Sequence, residues 1–216
     1  MIKSKTLIKI CGITSIEQAI QIAELGVDAI GIISVKESPR YVSAIKKKEI
    51  FKTLAKYFPN IKRVSVVKNF LISNLKNLID YENVLQLHGD EALEYCKEIK
   101  KEIPNLEIWK AFRINTNNDI EIIDSYIKFI DAVLLDSWNK DVYGGSGIRI
   151  REELLKEISI NKQWWLAGGI SIDWVKQIIK DIRPNGLDIS SSIEKSPGIK
   201  DIEMTKNLLR EIKNIK

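Results

Sequence analysis

Hydrophobic and polar positions along this chain follow two alternating rhythms. Short apolar runs rich in β-branched residues recur at Leu7–Cys11, Ala29–Ile33, Arg63–Val67, Val84–Leu87, Glu107–Phe112, Ala132–Leu135, Trp164–Ala167 and Gly186–Ile189. Runs of this length and composition predict strands, and their near-continuous apolar character predicts strands covered on both faces. Between them, apolar residues fall at helical spacing. Ile16, Ala19, Ile20 and Ala23 make one stripe, Val175, Ile178, Ile179 and Ile182 a second, and Ile202, Leu208, Leu209 and Ile212 a third. Thr14, with Glu17 three residues on, predicts a capping box, and Ser43 and Ser171 predict N-caps.

Eight strand-then-helix units follow one another with no linker or low-complexity stretch. That pattern predicts an α/β fold, a compact (β/α)8 TIM barrel spanning residues 1–216 as a single domain. A doubly wound open sheet is the alternative, but it has no need of the eighth repeat.

Such barrels carry their active site at the C-terminal ends of the strands. The polar residues gather there. The strand ends and the turns after them supply Cys11, Ser38-Pro39-Arg40, His88-Gly89-Asp90, Arg113, Asp136, Gly144-Gly145-Ser146-Gly147, Gly168-Gly169, Asp188 and Ser190-Ser191-Ser192. Side chains alternate faces along a strand, so Lys9 points the same way as Cys11, Gln86 the same way as His88, and Leu134 the same way as Asp136. If Cys11 faces the mouth, Lys9 lies inside beneath it. A buried ammonium there needs a partner and favours a thiolate. The glycines at 168 and 169 and the serines from 190 lie where barrels often bind phosphate, because backbone N–H groups approach an anion where no Cβ intrudes. Plain tight turns are the other reading of a glycine pair.

Composition narrows the classes. Of 216 residues, 34 are Lys or Arg and 29 Asp or Glu, a net charge of +5. The charges are interspersed along the helices, as in "KKEIFKTLAKY", which marks solvated faces rather than a nucleic-acid footprint. A small anionic substrate suits the same balance. No apolar run reaches membrane-spanning length and no signal-peptide core opens the chain, which predicts a cytoplasmic protein. Two cysteines far apart and one histidine make a metal site or a Cys-His mechanism a poor fit. Cys96 reads as packing, Arg113 as either a helper at the mouth or a carboxylate's partner, and His88 as either a substrate contact or a structural hydrogen bond. Of Trp164 and Trp165, one faces inward and one meets the outer helices.

Taken together and in order, "KICGIT", "SPRYV", "LQLHGDE", "KAFRI", "LLDS", "GGSG", "LAGGI" and "LDISSSIEKSPGIKD" resemble the phosphoribosylanthranilate isomerase family of tryptophan biosynthesis. The resemblance implies a cofactor-free Amadori rearrangement of N-(5-phosphoribosyl)anthranilate. It implies Cys11 as general base and Asp136 as general acid, the acid raised by burial and the thiol at least partly ionised. It implies Arg40 on the anthranilate carboxylate, Asp188 near the amine, and the phosphate on Gly145, Gly147, Gly168, Gly169, Ser190 and Ser191; Lys9 and His88, from their places on strands 1 and 4, read as supporting residues. A monomer and a homodimer both fit. The chain departs from the family at Ser192, where glycine is usual and a Cβ could crowd the phosphate. It departs again at Ile148-Arg149-Ile150 and Ile32-Ile33-Ser34. Two rivals remain: a non-catalytic phosphoribosyl-ligand binder, and the related histidine-pathway aminoaldose isomerase. The latter would end its first strand in aspartate rather than Cys11.

Overall fold

The computed structural model describes residues 5–74, 79–137, 149–156 and 158–215. Eight parallel strands close on themselves in sequence order: β1 (Leu7–Cys11), β2 (Ala29–Ile33), β3 (Lys62–Val67), β4 (Val84–Leu87), β5 (Glu107–Ile114), β6 (Ala132–Ser137), β7 (Trp164–Leu166) and β8 (Gly186–Ile189). The closure is the β1–β8 pairing, with Lys9 in register with Asp188 and Ile10 with Ile189. Helices α1 (Ile16–Glu24), α2 (Ala44–Tyr57), α3 (Leu93–Glu102), α4 (Asn117–Glu121), α5 (Ile123–Tyr126), α6 (Glu152–Lys156), α7 (Ile172–Gln177) and α8 (Ile202–Asn214) lie between or after the strands. A small antiparallel hairpin, β9 (Glu194–Ser196) with β10 (Ile199–Lys200), separates β8 from α8. No helix among the described residues is long and apolar enough to cross a membrane.

β1, β2, β3, β4 and β8 end where the pattern of the chain places them, and β7 stops at Leu166, one residue short of Ala167. The differences lie at the other ends, and pairing explains them. β5 runs on to Ile114 and β6 to Ser137 because the two keep pairing, Arg113 with Asp136 and Ile114 with Ser137. Arg113 and Asp136 are therefore strand residues, not residues of the turns beyond. β3 starts one residue early, where Lys62 pairs with Ala29.

The barrel wall separates two apolar layers. Outward residues such as Ile10, Ile30, Ile32, Leu85, Leu87, Val133 and Leu135 pack against the helices, with Ala19, Ile22 and Ala23 of α1 and Leu208, Leu209 and Ile212 of α8. Inward residues form a second cluster that includes Val64, Val66, Ala111, Leu134, Trp109 and Trp165. The two indole rings stack at 4.8 Å. Trp165 thus faces in and Trp164 joins the outer layer, the alternation expected of neighbours on a strand. Gly186 makes room for this: a Cβ there would sit 2.2 Å from the Trp165 ring.

The helix stripes hold with one shift. Val175, Ile178, Ile179 and Ile182 are all buried, the last three in a π-helical continuation of α7. On α1 the buried face is Ala19, Ile22 and Ala23, while Ile16 is 37% exposed. Two overlapping apolar stripes run along that helix, and the spacing alone does not separate them. The capping box at Thr14 is also corrected. Ser15 is the N-cap, accepting from the Gln18 N–H, because the Thr14 hydroxyl is taken by the Gly198 carbonyl of the hairpin at 2.7 Å. Ser43 caps α2 as expected. Ser171 sits at the N-cap of α7, but its hydroxyl accepts from Arg149 instead of from the helix.

Candidate active site at the barrel mouth

Each inward residue at a strand's C-terminal end is carried to one opening by the period-two alternation. There they line one open cavity. Cys11, Arg40, His88, Asp136, Gly168, Gly169, Asp188, Ser190 and Ser191 all border it, and so does Ser192. Lys9 lies one pleat below Cys11, fully buried. Gly145 and Gly147 lie outside the described residues.

The floor beneath Cys11 is an ion pair. Lys9 Nζ donates to Asp188 Oδ2 at 2.8 Å, with both side chains buried. This is the partner that a buried ammonium requires. Burial pulls the Lys9 ammonium down, but the attraction of Asp188 and Cys11 outweighs it and leaves it raised. The other Asp188 oxygen, Oδ1, is buried with no partner among the described residues. Gly31, the register partner of Cys11, keeps space for the thiol: a Cβ there would lie 2.7 Å from Cys11 Sγ and 3.0 Å from Lys9 Cε.

The expected ionisation of Cys11 is corrected. Burial pushes the Cys11 thiol up; the ammonium groups of Lys9 and Lys200 oppose that rise, and Asp188 adds to it. The net direction is upward, so the thiol is the favoured resting form. Lys9 acts on it in the expected direction but is outweighed by desolvation.

Asp136 is 3% exposed. Its Oδ1 accepts from the Ser137 N–H at 2.8 Å, and its Oδ2 lies 3.2 Å from His88 Nε2. His88 Nδ1 meets the Gln86 amide nitrogen at 2.8 Å. Of the two roles open to His88, the structure shows a hydrogen bond, and to Asp136 rather than to a loop. Arg113 resolves toward pairing: its guanidinium bonds Asp90 at the rim. Cys96 is fully buried in α3, as a packing residue should be.

Arg40 is 8% exposed, and its Nε and Nη2 both donate to Glu194. Glu194 also accepts from Lys200 Nζ at 2.7 Å and from the Gly198 N–H. Burial pushes the Glu194 carboxyl up, but the bonds from Arg40 and Lys200 prevail and hold it low. Burial lowers Lys200, with Glu194 opposing. Ser190 has work within the protein too: its hydroxyl donates to the Cys11 carbonyl at 3.0 Å and ties the β8 loop to β1. Gly12 fits under both, with φ of +80° and a would-be Cβ 2.6 Å from Arg40 Cδ. Gly168 and Gly169 also have positive φ, 86° and 62°, a backbone conformation that favours glycine. Ser192 is not among the positive-φ residues, so its backbone does not demand the glycine usual there.

A family model described as N-(5'-phosphoribosyl)anthranilate isomerase matches residues 8–211. The chain belongs to this family. It is 38% identical to the N-(5'-phosphoribosyl)anthranilate isomerase of Crocosphaera subtropica, over 96% of this chain and 99% of that one. It is 39% identical to that of Thermosynechococcus vestitus, over 98% and 91%. Among solved structures, the phosphoribosyl anthranilate isomerase of Thermus thermophilus matches with a TM-score of 0.85 at 26% identity, over 98% of this chain and all of that one. A phosphoribosyl anthranilate isomerase in complex with reduced 1-(o-carboxyphenylamino)-1-deoxyribulose 5-phosphate matches with a TM-score of 0.78 at 28% identity, over 96% and 98%. The isomerase resemblance in the motifs and the closed barrel therefore agree.

Four residues of the site have no role assigned from the sequence. Gln86 shares a face with His88, and that parity was a usable signal. Gly31 is visible only through its register with Cys11. Glu194 and Lys200 lie on the β9–β10 hairpin beyond the barrel, whose strands are too short for periodicity to show which way a side chain points.

Proposed function

We propose that this chain is a phosphoribosylanthranilate isomerase in which Cys11 and Asp136 are the base and acid of an Amadori rearrangement. The observation that carries it is that β1 and β6, which are not neighbours in the closed barrel, each bring one proton-transfer group to the same cavity. One substrate held there can meet an acid and a base from two sides.

The Asp136 carboxyl protonates the furanose ring oxygen. The C1–O bond breaks and the amine lone pair forms a Schiff base. The Cys11 thiolate takes the C2 proton, and the electrons of that bond give the enolamine. Tautomerisation then moves the hydroxyl proton off C2 and places one on C1, which leaves the ketose. Returning the thiol proton to C1 and the hydroxyl proton to Asp136 resets both groups, so protons balance over the cycle. Each transfer contributes about 10²–10⁴-fold. The thiolate is the minority form of a buried, raised thiol, with Lys9 beneath it as the stabilising charge.

Arg40 meets the substrate carboxylate through the guanidinium donors that Glu194 does not use, since a guanidinium carries five. The unpartnered Asp188 Oδ1 accepts from the substrate amine. The phosphate rests on backbone N–H groups of the Gly168-Gly169 and Ser190-Ser191 turns. The substrate is thus a small anion bearing both a phosphate and a carboxylate.

The test is turnover of enzymatically generated phosphoribosylanthranilate, followed as loss of its fluorescence with spontaneous breakdown subtracted. Protein-dependent loss is expected. Binding without loss would leave the non-catalytic reading in its place.

A further inference from the structure

The proton transfers described above leave three buried polar side chains at the mouth without a role: Gln86, Glu194 and Lys200. Glu194 and Lys200 satisfy each other, with Arg40 completing the cluster. Gln86 differs. It is fully buried on β4 and borders the cavity, and its Oε1 has no partner among the described residues. Among the described residues its side chain meets only His88, Nε2 to Nδ1 at 2.8 Å.

An amide nitrogen only donates. With the amide placed this way, Nδ1 is the accepting nitrogen and the ring proton falls to Nε2, facing Asp136 Oδ2 at 3.2 Å. We propose that Gln86 is a positioning residue that keeps His88 neutral in the Nε2–H form, so that Asp136 faces a neutral donor and not an imidazolium.

The consequence is for the acid. A cation beside a carboxyl favours its ionised form. An imidazolium hydrogen-bonded to Asp136 would hold it as a carboxylate, with no proton to give to the ring oxygen. A neutral imidazole orients the carboxyl without that charge. The inference rests on Asp136 being the general acid.

His88 is the chain's only histidine, so its ring is the only one a 15N-histidine label reports. At pH 7.5, without substrate, ring nitrogen shifts of the wild type should show a neutral ring protonated on Nε2. Gln86→Glu, which offers acceptors only, should show both nitrogens protonated. A wild-type ring protonated on Nδ1, or on both nitrogens, overturns the proposal.

Gln86→Met keeps shape without charge and serves if Gln86→Glu does not fold. Its kcat should fall about tenfold, a fraction of the ~10²–10⁴ available to a proton transfer, with KM within about threefold. In a His88→Phe background the same substitution should cost nothing more. An equal loss in that background, or a loss confined to KM, means Gln86 is only structural. The ring signature is read without turnover. Its failure is therefore distinct from a wild type that does not convert phosphoribosylanthranilate.

Discussion

Lys9 and Lys47 are both fully enclosed lysines paired with a carboxylate, on opposite sides of the same barrel wall. Lys47 reaches from α2 to Glu82 and to the outward Ser65 of β3. Glu82 is fully engaged, because its second oxygen accepts from the Asp80 N–H. Lys9 reaches from β1 to Asp188, whose second oxygen is left over. Beside Lys9 is a thiol and an open cavity; beside Lys47 are packed side chains. Burial and ion pairing are thus common to structure and function here. Unspent hydrogen-bonding capacity on the cavity side is what separates them.

The sharpest way to break this contrast is at the mouth itself. Cys11→Ala and Asp136→Asn should each lower kcat by about 10²–10⁴-fold with an intact circular dichroism spectrum. Near-normal turnover by either purified variant removes that residue from the chemistry.

Next come the two lysines. Lys9→Met and Lys47→Met each strand a buried carboxylate, and each should cost about 3–5 kcal/mol in urea unfolding. Only Lys9→Met should also change the thiol. Alkylation of Cys11, followed in a Cys96→Ala background, should become slower at a given pH because a counter-charge to the thiolate is gone. Equal alkylation rates, or an equal loss of kcat in folded Lys47→Met, would erase the distinction.

Gly31→Ala gives a smaller effect. Its Cβ would press on Cys11 Sγ, and overpacking of this kind costs about 1–3 kcal/mol. Activity should fall by more than that stability loss explains, whereas Gly186→Ala, pressing on Trp165, should act on stability alone. Thermal melts alongside kcat at one temperature check both.

The smallest effect is a slope with pH. Burial pushes the Cys96 thiol from 9.0 up to about 11. The folded state therefore keeps a proton that the unfolded state has lost. This stability is complete below pH 9 and disappears as pH rises through about 11. Urea midpoints across that window should fall by the equivalent of roughly 2 kcal/mol, and less in Cys96→Ala. Cys11, raised by the same cause, adds in the same direction.

The strands and stripes were legible because they are local. Period two and period 3.6 are properties of neighbouring residues, and they place Cys11, His88, Asp136 and Asp188 at one end of the barrel. The capping error at Thr14 shows the limit: its hydroxyl went to Gly198, far along the chain. A side chain with two acceptable partners is decided by whichever the fold brings nearer.

By itself, then, the sequence determined the barrel, its sidedness and the chemistry-bearing residues at its mouth, because alternation, amphipathic spacing and the motif order are all written in one dimension. Closure decided the rest. Only when β8 meets β1 does Lys9 acquire Asp188, and only when β4 stands near β6 does His88 reach Asp136. Only the hairpin after β8 gives Arg40 its Glu194. The ionisation of Cys11 is the clearest case. The sequence shows a lysine one pleat below it, but desolvation depends on everything packed around the thiol, and that sum exists only in three dimensions.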